Sequence, residues 1–183
     1  MLYAWGFERV GVVAGDLYFV DPDPAPGQEG AERGVRLEVR LLERPPLTGS
    51  IYAAQPIVID RPIWRADLLE TVDGPIGSHD RTHHHPNVRG WEPGKRQFDE
   101  GLSEDPIRWL TDKLDDLPGL MRSAEIDADL AGADDARQLA VAAPAIASAV
   151  AELLARVRAG ELARPPEGAE SGDAITDARV SWL

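Results

Sequence analysis

The chain is predicted to fold as an α+β protein, with a curved antiparallel β-sheet in the N-terminal half packed against C-terminal helices. Three observations carry this. Runs rich in aromatic and β-branched residues occupy the first 72 positions, helical periodicities occupy the stretch from Asp105 onward, and the two kinds do not alternate. Such segregation belongs to antiparallel sheets with helices on one side rather than to repeated βαβ units. The length of 183 residues gives room for one domain with a real core. The expected division is a single domain over residues 1–160 and a flexible tail over 161–183.

Tyr3 to Val13 and Asp16 to Val20 read as two strands, with Ala14-Gly15 as a tight hairpin between them. Asp21 to Gly34 is rich in Pro, Gly and acidic residues and reads as a loop. Val35 to Leu41 alternates strictly, placing Val35, Leu37, Val39 and Leu41 on one face and Arg36, Glu38 and Arg40 on the other. That is the pattern of a half-buried antiparallel strand. Pro45-Pro46 ends it. Extended structure resumes at Ile57-Val58-Ile59 and from Trp64 to Val72, and Pro62 between them fits an edge or a kink. Asp73-Gly74-Pro75 is a turn signal, which makes the segment after it the return arm of a hairpin.

Asp105-Pro106 opens a helix, Asp as N-cap and Pro at the first helical position. Ile107, Leu110, Leu114 and Leu117 mark its buried stripe, and Pro118-Gly119 is expected to stop it. Leu120 to Gly132 has room for a short helix. Asp134 to Ala159 is a long helical pattern facing inward through Leu139, Ala143, Ile146, Val150, Leu153, Leu154 and Val157. Gly160 caps it, and Pro144 should kink or split it.

Composition removes several functions. The formal net charge is −13, which opposes generic adhesion to nucleic acid or anionic membranes. There are no cysteines, so thiolate metal sites, disulfides and Cys nucleophiles are excluded. Met1 to Arg9 has no basic stretch leading into an apolar one, and Leu139 to Leu154 is short and broken by Pro144. The expected location is therefore the cytoplasm, with no membrane partner. No Gly-rich phosphate loop or nucleophile elbow is present.

All four histidines, His79, His83, His84 and His85, fall within seven residues. Between Gly77 and Phe98, Arg81, Arg89, Lys95 and Arg96 outnumber Asp80 and Glu92, a locally positive segment in an acidic chain. If Arg81 to His85 is extended, Arg81, His83 and His85 share a face and His84 points away. A three-residue turn at Asp73-Gly74-Pro75 sets Arg65 opposite His83 and Asp67 opposite Arg81. A four-residue turn brings Ala66 and Leu68 there instead. The first register is preferred because it leaves Ala66 and Leu68 for the core.

Three chemistries fit this set. His79, Asp80, His83 and His85 offer the N and O ligands of a divalent transition metal. Alternatively, His83 and His85 act as acid and base in metal-free phosphodiester cleavage, with Asp67 beside them and Arg65 and Arg81 holding the developing negative charge. The third is binding of an anionic small molecule or RNA without turnover. Arg89, Asn87 and Trp91 are the flanking candidates for ligand contact, although Trp91-Glu92-Pro93-Gly94 also reads as a structured turn. The plain alternative is a polar surface hairpin whose histidines only make hydrogen bonds.

The His-Asp-Arg-Thr-His-His-His-Pro segment with its following Gly-Trp-Glu-Pro resembles a similar stretch of uncharacterised bacterial proteins. Arg65 and Asp67 followed by His84-His85-Pro86 also resemble the TumE-like toxins of toxin–antitoxin pairs, small α+β proteins with an Arg-containing strand and a short His-His-Pro element. That resemblance covers under a fifth of the chain, and implies an RNase-like toxin. The favoured expectation is a His/Arg site that binds or hydrolyses a phosphate-bearing or other anionic ligand, with or without a metal. The competing one is a non-enzymatic interaction protein that docks a protein partner, or a second copy of itself, through the Ala-rich helix.

Overall fold

The computed structural model describes residues 1–165. Five strands form one antiparallel meander: β1 (Leu2–Gly6), β2 (Val10–Val20), β3 (Ala31–Glu43), β4 (Val58–Thr71) and β5 (His83–His85), in that spatial order. A two-stranded ribbon follows, β6 (Val88–Arg89) and β7 (Glu92–Pro93). Among the described residues, the helices α1 (Glu100–Glu104), α2 (Pro106–Asp115), α3 (Leu117–Ser123) and α4 (Asp135–Arg158) follow, with one short 3-10 turn at Ala128–Leu130. The α+β arrangement expected from the segregated patterns is the one observed.

The alternation of β3 decides which face meets the helices. Val35, Leu37 and Val39 are fully buried beside Ala66, Leu68 and Trp64 of β4. They form one cluster with Leu110, Leu114, Leu139, Ile146, Val150 and Leu153 of α2 and α4. Burial of such side chains contributes about 1.5–3 kcal/mol each before chain entropy is subtracted. Pro62 lies in β4 beyond the reach of β5, where the β3–β4 register shifts around Arg40, as a proline at a bulge should.

Four local expectations need correction. Ala14-Gly15 is not a turn: β2 runs through it, and the chain reverses at Phe7-Glu8-Arg9. Gly15 serves close strand approach instead, since a Cβ there would stand 3.1 Å from the Met1 carbonyl oxygen. The loop after β2 ends at Gly30 rather than Gly34. Gly34 sits inside β3, where a Cβ would lie 1.9 Å from the Leu68 carbonyl oxygen and be impossible. Pro118-Gly119 does not end a helical region but begins α3. Asp116 accepts from the Gly119 N–H at 2.9 Å, and Pro118 falls in the first turn, where its missing N–H costs nothing. Finally, α4 is not split at Pro144; it is continuous over 24 residues.

Contrary to the expectation of a short, broken apolar stretch, the continuous α4 has the length and, with a mean hydropathy of 1.6, the composition that a membrane span requires. Its apolar stripe, Leu139 through Val157, is nevertheless buried against the sheet. Gly160 follows α4 with φ +71, the left-handed position that favours glycine. Beyond it Ala163 is buried and its N–H donates to Asp16 at 2.8 Å. The expected apolar tip of the tail lies outside the described residues.

Candidate metal centre

The face of the sheet turned away from the helices carries Arg36 and Glu38 on β3, Arg65 and Asp67 on β4, and His83 and His85 on β5. The β4–β5 ladder pairs Arg65 with His85, Ala66 with His84 and Asp67 with His83. The face assignment follows the alternation: His83 and His85 join Arg65 and Asp67, and His84 leaves on the other side. The register is displaced by two residues from the expected one. Turn residues extend over Val72 to Thr82 rather than three positions, fastened by Asp80 accepting from Ser78 Oγ at 2.6 Å and from the Thr71 N–H at 3.1 Å. A shift of two preserves the face, which is why the right side chains still meet.

This face is not solvated. Asp67, His83 and His85 are 1%, 2% and 3% exposed, so their polar atoms need partners inside the protein. Each imidazole is oriented by a backbone carbonyl: His83 Nδ1 lies 2.7 Å from the Arg81 oxygen and His85 Nδ1 lies 2.7 Å from the Gly94 oxygen. A carbonyl only accepts, so both Nδ1 atoms carry the hydrogen. The Nε2 atoms are thereby turned inward with their lone pairs, 3.1 Å apart. Asp67 Oδ2 stands 3.4 Å from each of them and makes no well-directed hydrogen bond, its nearest cation being Arg65 Nε at 2.8 Å.

Three electron-pair donors converge on one point. A four-coordinate ion with N and O ligands at about 2.0–2.1 Å sets its ligand atoms about 3.3–3.4 Å apart. Asp67, His83 and His85 could therefore hold a metal ion. Carbonyls that fix the tautomer and rotation of ligating histidines are the usual support of such sites.

The electrostatics are not neutral. Arg36 Nε contacts Asp67 Oδ1 at 2.6 Å, and Arg65 Nε contacts Asp67 Oδ2 at 2.8 Å. Burial alone would raise the Asp67 pKa, but these two guanidiniums outweigh it and hold the carboxyl well below its ordinary range. An Arg65 terminal N–H also reaches His85 Nε2 at 2.9 Å. Burial lowers the His85 pKa and so favours the neutral imidazole that a metal needs. Glu38 is occupied by Arg40 at 2.6 Å. With Glu38 taken by Arg40 and Glu32 by Arg81 at 4.0 Å, the guanidiniums of Arg36 and Arg65 face the single carboxylate of Asp67, a local excess of one positive charge.

Other expected residues serve elsewhere. His79, in a left-handed backbone conformation (φ 51), lies 3.2 Å from Arg158 and 3.7 Å from Glu70. Burial and the Arg158 charge lower its pKa. Asp80 ties the β4–β5 turn; burial works against its charge, but hydrogen bonds from Ser78 and Thr71 keep its pKa low. Arg81 precedes β5 and straps the loop after β2, donating to the Gly27 and Glu29 carbonyls at 2.8 and 3.2 Å. The Asn87 carbonyl accepts from Gly94 within the β6–β7 ribbon. Arg89 is exposed and pairs with Glu125 at 3.2 Å, and Trp91 is exposed with Arg40 5.6 Å from its ring. Arg36, absent from the expected set, is the residue that sequence reasoning missed; its place across from Asp67 depends on a β3–β4 register that no turn signal announced.

No family model matches this chain, nor does any curated protein or solved structure.

Proposed function

We propose that this protein binds one divalent transition-metal ion through Asp67 Oδ2, His83 Nε2 and His85 Nε2, and that the ion and Arg65 together bind an anionic group such as a phosphate ester. The observation that carries the reading is the convergence of two inward-turned imidazole nitrogens and one carboxylate oxygen at 3.1–3.4 Å, with the Arg65 guanidinium beside them. Imidazole and carboxylate suit zinc, iron(II), nickel or manganese. Three protein ligands leave a further coordination position for water or a ligand oxygen. When bound, the ion would supply Lewis acidity toward that oxygen. The chain's own residues orient the site: the carbonyls of Arg81 and Gly94 hold the two imidazoles, Arg36 holds Asp67, and the Arg65 fork lies beside the ligand position. A dication next to guanidiniums already in excess favours an anion as the ligand, since only added negative charge restores balance.

A second reading rests on the Arg65 contacts. The guanidinium reaches both Asp67 Oδ2 and His85 Nε2, so Arg65 alone could satisfy the cluster as a structural network. Elemental analysis of untagged protein decides between the two. The metal reading expects close to one equivalent of a transition metal, lost in His83→Ala and His85→Ala. Metal-free wild-type protein, unchanged in stability by chelation, leaves the structural network. Cleavage of RNA that persists in chelator would instead support the metal-free acid–base chemistry implied by the resemblance to TumE-like toxins.

A further inference from the structure

On the helix side of the sheet lies a cavity of about 510 Å³ that the metal centre does not use. Strand alternation makes the two sites distinct, for His84 pairs with Ala66 and projects away from His83 and His85. The cavity floor is aromatic. Trp64 stacks on Trp109 with centroids 5.9 Å apart, and the His84 ring lies 6.1 and 5.0 Å from them. The walls are acidic. Asp99 and Asp116 each spend one carboxylate oxygen on a helix N-cap, for Leu102 and Gly119, which leaves the other oxygen of each uncommitted by that bond. Asp112, on the exposed side of α2, is the third carboxylate.

Two further observations point to what such a cavity holds. Lys113, the one cation in the lining, places its ammonium 4.9 Å from the Trp109 ring centroid. The chain's own amine thus already makes the contact that the ring face favours, because the π-quadrupole attracts positive charge. His84 is 7% exposed, lines the cavity, and has an Nδ1 with no hydrogen-bond partner in the protein. A buried imidazole nitrogen without a partner is uncommon, and it leaves this wall of the cavity polar but unsatisfied.

We propose that this cavity binds a small organic cation, an alkyl primary amine or a guanidinium compound. The cationic group lies over the Trp109 face in place of Lys113, among the carboxylates of Asp99, Asp112 and Asp116 and beside the His84 ring. Three carboxylates against one ammonium disfavour an anion here. The indole floor disfavours a bare metal ion, which needs ligand atoms on all sides.

The test is calorimetric titration of the full chain, freed of metal by chelation, with agmatine and with putrescine, using inorganic phosphate as the anionic control and tryptophan fluorescence as a second readout. Asp112→Asn and Lys113→Met alter the accessible side of α2 and leave the core intact. Saturable agmatine binding is expected, weakened about fivefold in Asp112→Asn and strengthened by a similar factor in Lys113→Met, where the competing ammonium is gone. His83→Ala should bind agmatine as the wild type does, which separates this site from the metal centre. The proposal is overturned if neither amine binds saturably, if phosphate binds here instead, or if both α2 variants leave the affinity unchanged.

Discussion

His83, His84 and His85 are chemically identical neighbours, and the strand's period of two gives them different lives. His83 and His85 are pinned by carbonyls with Nε2 inward, whereas His84 packs beside a stacked pair of indoles on the far side of the sheet. Replacement by Ala should therefore separate them. His83→Ala and His85→Ala are expected to lose bound metal, while His84→Ala retains it, as read by elemental analysis of protein whose circular dichroism matches wild type. Neither of the first two is a free surface change. Each deletes a buried hydrogen bond and opens a void, so about 1–3 kcal/mol of stability should go as well. Equal metal retention in all three variants would remove the metal centre. Arg65 differs again: Arg65→Met should weaken phosphate bound at the loaded centre by about 1.5–3 kcal/mol, the worth of a charge-assisted hydrogen bond, in a calorimetric titration.

At the scale of elements, the residue that fastens helix to sheet is Asp135. It is fully buried in the first turn of α4, and its carboxylate accepts backbone N–H groups from Glu8 at 2.8 Å, Arg9 at 3.1 Å and Gly132 at 2.6 Å. Asp135→Ala strands all three donors and should cost about 2–4 kcal/mol in urea unfolding, far more than an exposed N-cap would. Pro144 has the opposite sign. It is exposed within the continuous α4, where it leaves the Ala140 carbonyl without its usual donor. Pro144→Ala should therefore stabilise by about 1–3 kcal/mol. These two positions show what the sequence discloses about elements. Apolar periodicity located α2, α4 and the alternation of β3, because burial writes itself into the pattern residue by residue. It could not locate the β1–β2 reversal, since Phe7-Glu8-Arg9 carries no turn dipeptide and is held by Asp135 more than a hundred residues away. Nor could it fix the β4–β5 register, which depends on how Thr71, Ser78 and Asp80 fold the intervening turn. The site was legible as a set of residues on one face; Arg36 entered it only through a long-range pairing.

For the whole molecule, the sheet carries charge on one side and hydrocarbon on the other, and pH and metal act on stability together. Burial lowers the pKa of His79, aided by the Arg158 charge, and lowers that of His84 to about 4. An unfolded histidine titrates near 6.5, so between about pH 6.5 and the folded values the unfolded chain binds more protons. Stability from these groups is complete above about pH 6.5 and drains away as pH falls. From His84 alone, the loss between pH 7 and pH 5 should be about 2 kcal/mol in chelated protein. Asp67, held low by Arg36 and Arg65, adds a loss of the same sign in more acid solution. Glu32 opposes it: burial raises its pKa, so its contribution is present in acid and declines as pH rises. Zinc should add to the neutral-pH stability, because binding to the folded state alone stabilises by about 2.7 kcal/mol at a hundredfold excess over Kd. In a domain of this size that is a rise in Tm of about 5–11 °C. Metal binding to imidazole nitrogen is weakened by acid in general, so the rise should be smaller at pH 5. Thermal unfolding with and without zinc at pH 7.5 and pH 5 measures both effects. A zinc-induced shift that is absent at pH 7.5, or equal at the two pH values, would show that the imidazoles are not its ligands.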